Sequence, residues 1–204
     1  MPLISCSELH GGDILLKIAD GTLFNQFIQS NQSSNELGPY KIAHAAISSS
    51  PYECIEAQSS GITCNDLRVQ DKAYSYVVYR AKDSALGKKA AELAKELCDI
   101  HQKDKNLTYN TLGAWNSRKG GPSEPKTKDE LNKLFQSLEA GQQLPFFCSQ
   151  FVTFVYQCAA VQLGKAPGDV LPMNDAKVPP ATLAKFLVGS GSFVQVGGLK
   201  AGQR

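Results

Sequence analysis

Histidine is scarce in this chain. There are three in 204 residues: His10, His44 and His101. None stands at a metal-site spacing from a cysteine, so no zinc site and no metal is expected. The six cysteines are Cys6, Cys54, Cys64, Cys98, Cys148 and Cys158, with no Cys-x-x-Cys pair among them. Scattered this way in a chain of this length, they read as reduced thiols rather than a disulfide framework, although a bridge such as Cys54 with Cys64 stays open. A glycine-rich phosphate loop and a dinucleotide fingerprint are both missing, and no cofactor is expected. A net charge of +2 is too small to argue for nucleic acid as a partner. No apolar run is long enough to span a membrane. The first ten residues lack a basic start and a sustained apolar stretch, so the reading has no secretory signal peptide and synthesis in the cytoplasm.

Hydrophobic residues make up 42% and charged residues 20%, a balance that supports a packed core. With no internal repeat and no boundary in composition, residues 1–204 read as a single domain. A polar insertion at about 110–128, rich in glycine, proline and lysine, interrupts it and holds the single tryptophan, Trp115.

The most informative stretch runs from Pro145 to Cys158. Phe151, Val152, Val155 and Ala159 follow Cys148 at helical spacing, and Pro145 precedes the start, where a proline does no harm. The spacing predicts a helix that opens on Cys148. There the positive end of the backbone dipole favours thiolate, the nucleophilic form of the side chain. A free cysteine is also a good core residue, and taken alone Cys148 would be read as packing. Cys158 on the same helix lacks the terminal position and is read that way.

Lys41 to Ser48 and Tyr52 to Ala57 read as a hairpin turning at Ser49, Ser50 and Pro51. Centred near Ser50, it puts His44 directly across from Glu56 on one face, with Glu53 on the other. A carboxylate there can hold one ring nitrogen and leave the other free. A one-residue slip would destroy the pairing.

Elsewhere, strands are expected at 14–18, 62–70, 73–80 and 192–196. Helices are expected at 22–30, 84–100, from Thr127 (whose Glu130 completes a capping box) and at 178–187. His101 ends the second of these and suits the negative end of its dipole.

Taken in order, Gly12-Asp13-Ile14-Leu15, His44 to Ile47, Cys54 to Ala57, Val78 to Arg80, Tyr109 and Phe147 to Val152 resemble the permuted papain-like amidases of the YiiX type. These are circularly permuted relatives of the NlpC-type cysteine peptidases, and more distantly of lecithin:retinol acyltransferase. The resemblance covers roughly residues 11–196. It implies an α+β, circularly permuted papain-like fold, with an antiparallel sheet packed on helices and the catalytic cysteine at a helix N-terminus. It further implies Cys148 as nucleophile, His44 as general base and Glu56 as the group orienting the ring. The amide of Cys148 or Ser149 would be the oxyanion donor. Asp13 matches the family's Gly-Asp motif near the site, and reads equally as a turn carboxylate bonding nearby amides. Tyr109 matches a tyrosine bordering the cleft, or a half-buried packing residue. Trp115 belongs to a lid, a substrate wall or a solvated insertion.

Three functions compete at this level. The first is an amidase or endopeptidase acting on cell-wall peptides. Without a signal peptide, that reading fits a toxin delivered by a dedicated secretion system, with an immunity or inhibitor protein as partner. The second is an acyl-lipid hydrolase or acyltransferase, since the lecithin:retinol branch uses the same constellation. The third, a binding module with an idle site, accords poorly with a complete cysteine, histidine and glutamate set.

Overall fold

In the computed structural model, residues 2–19, 41–70, 73–104, 124–140 and 146–202 are described. The helix expected at 22–30, Pro145, Tyr109 and Trp115 lie outside them. The described strands are β1 (Leu3–Ile4), β2 (Ile14–Ile18), β3 (Ile42–Ser50), β4 (Glu53–Gln58), β5 (Gly61–Asp66), β6 (Ser75–Ala81) and β7 (Phe193–Lys200). The described α-helices are α1 (Ser84–Asp104), α2 (Lys128–Glu139), α3 (Cys148–Gln162), α4 (Pro167–Val170) and α5 (Pro180–Gly189).

The strands form one sheet in the order β1-β7-β6-β2-β3-β4-β5. The sheet is mixed rather than antiparallel throughout. β1 runs parallel to β7, because the N-terminal segment returns beside the last strand instead of hairpinning onto β2. All other pairs are antiparallel. The fold is therefore α+β, with long-range strand pairing and helices gathered on one face.

Period-two alternation sorts the strand residues between two faces. Ile14, Leu16, Ile47, Ile55, Val77 and Tyr79 pack against helices α1, α3 and α5. Leu15, Ala46, Cys54, Tyr76 and Val78 form a smaller cluster on the other face with Leu9, Leu67 and Leu199. Helix α3 is buried around its whole circumference, from Phe151 to Val161. Its apolar stripe is thus wider than the one face the spacing predicts. A helix apolar all round belongs inside a core, here between the sheet, α1 and the 167–178 segment.

Several boundaries move. Helix α1 runs on to Asp104, so His101 sits within its last turn and is buried. Strand β5 ends at Asp66, and β7 extends to Lys200. A short helix, α4, forms between α3 and α5, where none is expected. The Thr127 capping box forms, with Glu130 Oε2 accepting from the Thr127 amide at 2.8 Å. All six cysteines are free thiols, Cys54 and Cys64 included.

The β3–β4 hairpin turns about one residue later than expected, which displaces its register by two. Its register is Ile47↔Ile55, Ser48↔Cys54 and, after a bulge, Ser50↔Glu53. Pro51 and Tyr52 make the turn, with Tyr52 at φ 71°. Proline at the first central position and a positive φ at the second are the pattern of a type II turn.

Candidate active site

The two-residue displacement decides how His44 meets Glu56. Because strands alternate with period two, a shift of two keeps both side chains on the same face. Glu56 now lies diagonal to His44 instead of opposite it. A diagonal pair is about 7–8 Å apart at the backbone, within reach of two long side chains. The contact forms: His44 Nε2 lies 2.6 Å from Glu56 Oε2. Nδ1 is then the ring nitrogen left for another partner.

That partner is Cys148. It is the first residue of α3 and is buried. The sheet makes room for it. Pairing of β3 with β4 stops at Ile47↔Ile55, so the residues toward His44 have no β4 partner in the ladder. The Ser48 amide donates to Asp13 O and its carbonyl accepts from the Gly12 amide, so the Ser48 backbone is turned to the β2 side. By alternation the Ala45 backbone faces the β4 side, into the gap. The N–H groups of Ala45 and Ser149 both interact with the Cys148 sulfur. The start of α3 thus seats the sulfur where the sheet splits, next to the His44 ring.

Six thiols give an internal comparison. Burial raises the pKa of Cys6, Cys54, Cys64, Cys98 and Cys158, Cys64 being pushed up to about 12 with Glu53 beside it. Only Cys148 is lowered. Burial opposes its ionisation too, but the His44 charge and hydrogen bonds from His44, Ala45 and Ser149 outweigh that cost. Burial likewise disfavours charge on His44, yet the Cys148 thiolate and the Glu56 carboxylate raise its pKa. Glu56 is itself buried, and burial works against its charge, but His44 and Asn65 hold its pKa below the ordinary carboxylate value. The three groups therefore favour a thiolate and an imidazolium side by side. Such a pair can attack an electrophilic carbon and then protonate a leaving group.

Residues that sequence reasoning passes over surround Glu56, among them Gln58, whose side chain hydrogen-bonds it, and a chain of three more. Asn65 Nδ2 donates to Glu56 Oε1 at 2.7 Å, and Gln70 Nε2 reaches the same oxygen at 3.4 Å. The Tyr76 hydroxyl donates to Gln70 Oε1 at 2.7 Å. The Ser59-Ser60-Gly61 turn was the available signal. It pairs Glu56 with Thr63 and Cys54 with Asn65, which sets Asn65 on the face of Glu56.

Of its two readings, Asp13 takes that of a turn carboxylate. It lies four residues before Lys17, the cross-strand partner of His44, or about 13 Å along the strand. Its carboxylate binds Arg80, with Nε to Oδ1 at 2.8 Å and the terminal nitrogen to Oδ2 at 2.7 Å, and accepts from the His10 amide at 2.9 Å. The preceding glycine is a packing device. A Cβ on Gly12 would lie 2.2 Å from Gly87 O in α1. The Gly-Asp motif is thus an anchor between sheet and helix, away from Cys148.

Ser149 contributes its backbone amide. Its hydroxyl is buried and donates to Val178 O. Glu53 is on the opposite face from Glu56 as expected, but is half-buried rather than exposed, and accepts from the Ser49 hydroxyl. Among the described residues no group of three His, Cys, Asp or Glu side chains could hold a metal ion, and no helix is long and apolar enough to cross a membrane. Comparison with protein-family models and with curated proteins finds no match to this chain.

Proposed function

We propose that this protein is a cysteine hydrolase, an amidase or endopeptidase of the permuted papain-like type. In it Cys148 is the nucleophile, His44 the acid and base, and Glu56 the group that orients the ring. The observation that carries the reading is the chain from Glu56 through His44 to the one thiol of six whose ionisation is favoured. The order of motifs in the sequence supports the fold assignment.

The thiolate of Cys148 attacks the substrate carbonyl carbon and forms the C–S bond. The carbonyl electron pair moves to oxygen, where the amides at the start of α3, those of Cys148 or Ser149, receive it. As the tetrahedral species collapses, the imidazolium of His44 protonates the departing nitrogen, and the C–N bond breaks. A thioester remains. His44, now neutral, takes a proton from water as that water attacks. The acid product leaves, and the proton returns the pair to its resting form. Glu56 makes no bond in this sequence. It holds the Nε2–H and stabilises the imidazolium.

Cell-wall peptides are the proposed substrate, and an antibacterial protein delivered by a dedicated secretion system is the proposed setting, with an immunity protein as partner. The test is to incubate wild type and Cys148→Ala with purified peptidoglycan and, separately, with phospholipid, and to analyse both by mass spectrometry. New amine and carboxyl ends in the peptidoglycan, made by wild type only, are expected. Release of fatty acid instead would move the assignment to the lipid branch. If neither substrate changes and iodoacetamide finds Cys148 no faster than the other thiols, the hydrolase reading fails.

A further inference from the structure

Resting on that reading, we propose that Asn65 and Gln70 are positioning residues that set the hydrogen-bond polarity of the site. By converging their N–H groups on one oxygen of Glu56, they commit the other oxygen to His44 Nε2 and so assign Nδ1 to the sulfur.

Tyr76 is buried, and its hydroxyl donates to Gln70 Oε1 at 2.7 Å. An amide whose oxygen is already engaged turns its nitrogen the other way, and Gln70 Nε2 points at Glu56 Oε1, 3.4 Å distant. Asn65 is fixed similarly. Its Nδ2 donates both to Thr63 Oγ1 at 3.0 Å and to Glu56 Oε1 at 2.7 Å. The Thr63 hydroxyl has its own acceptor, the Glu56 carbonyl oxygen at 3.5 Å, and so offers a lone pair to Asn65. Two nitrogen donors therefore meet on Oε1.

An anionic carboxylate accepts at both oxygens and donates at neither. With Oε1 engaged, Oε2 is the oxygen presented to the imidazole, at 2.6 Å. Nε2 must then carry its hydrogen. In the neutral ring that leaves Nδ1 with the lone pair, and in the charged ring it leaves Nδ1–H as the proton nearest the sulfur. Without the two amides the carboxyl group could rotate or take up a proton. A protonated carboxyl can donate to Nε2, and that reverses the tautomer. The polarity is thus dictated from the side of the ring away from the thiol, by β5, the turn after it and β6.

The experiment uses the full-length protein and needs no substrate. Wild type, Asn65→Ala, the double variant Asn65→Ala with Gln70→Ala, and Asn65→Asp are compared by two readouts. The first is the nitrogen-15 spectrum of the His44 ring. The second is the rate of Cys148 alkylation by iodoacetamide as a function of pH, with thermal unfolding as the check that each variant folds. Losing donors raises the basicity of Glu56, so its carboxyl rotates or takes the Nε2 proton more readily, and the ring's preference for Nε2–H weakens. In Asn65→Ala the nitrogen-15 spectrum of the neutral ring should therefore shift toward the Nδ1–H form, and further in the double variant, with alkylation near neutrality falling about tenfold. Asn65→Asp adds negative charge and should not lower the His44 titration. A purely structural role would reduce stability and leave the ring spectrum and the pH midpoint of the folded fraction unchanged. That result, with Cys148 of wild type still reacting fastest, overturns the inference and spares the hydrolase reading. A slow Cys148 in wild type overturns the hydrolase reading itself. Should Asn65→Ala fail to fold, Gln70→Ala alone carries the same two readouts.

Discussion

Two carboxylates sit along this sheet, each bound to a basic side chain, and they do different work. Asp13 holds Arg80 through both oxygens, and Arg80 also donates to Glu8 O at 2.8 Å. Arginine is a permanent cation whose fork matches the carboxylate, so that pair is saturated. Glu56 holds His44 through one oxygen, and the imidazole keeps a second nitrogen that can gain or lose a proton. One pair ties the strand β2 start to β6. The other leaves a reactive valence facing a sulfur. The two pairs thus differ in whether the basic partner can titrate and has an atom left over.

Removing the reacting groups is the sharpest way to test that contrast. Cys148→Ala should lower hydrolysis by several orders of magnitude with an unchanged unfolding temperature, and His44→Ala should do nearly the same. His10→Ala should leave turnover intact. If Cys148→Ala stayed active, the contrast drawn between the two carboxylates would lose its basis.

The orienting group comes next. Glu56→Gln keeps the shape and loses the charge, and turnover should fall by roughly two to four orders of magnitude, as in other triads. Asp13→Asn should do the reverse. It leaves a half-buried arginine without its counter-charge and should cost roughly 2–3 kcal/mol of stability, read by denaturant unfolding, while the turnover of the folded fraction holds. Turnover that fell more in Asp13→Asn than in Glu56→Gln would reverse the assignment of the two pairs.

The pH dependence follows from the direction of the shifts. The Cys148 pKa is lowered and that of His44 is raised, so the thiolate–imidazolium pair exists between them. Alkylation of Cys148 should stay fast below the ordinary thiol value of 9.0 and fall only as acid protonates the sulfur. In His44→Ala the favourable charge is gone and burial remains, so the midpoint should move above that value. A midpoint unmoved by His44→Ala would show that the helix end, not the imidazole, stabilises the thiolate.

Glu53→Gln is the smallest expected effect. Its carboxylate engages Ser49 on the far face of the hairpin, and the rate should change little.

Parity explains why the sequence led to His44 and Glu56 despite an incorrect register. Reading Ser49 to Pro51 as the turn displaced the pairing register by two residues, since Pro51 and Tyr52 occupy the centre. An even error preserves the face of every side chain, and the pairing survived as a diagonal contact. An odd error would have separated them. Cys148 was legible because helix starts carry local signals in spacing and proline placement. Asp13 stayed open between two readings because a two-residue motif says nothing about Arg80, a partner far along the chain. Asn65, Gln70 and Tyr76 were missed for a related reason. Neutral amides and a tyrosine carry no charge pattern, and their convergence on Glu56 depends on how β5 and the following turn fold back over β4.

The split between β3 and β4 has a consequence for the life of the chain before it is finished. His44, Glu56, Asn65 and Gln70 all belong to the first half and can be assembled by local hairpins. The sulfur comes from the start of a helix in the second half, and it reaches the ring only by filling the opening in the sheet. On the proposed reading, a chain still emerging from the ribosome would hold the base and its support with nothing for them to activate. The thiol gains its partner only once α3 is seated, so alkylation of Cys148 would report that step.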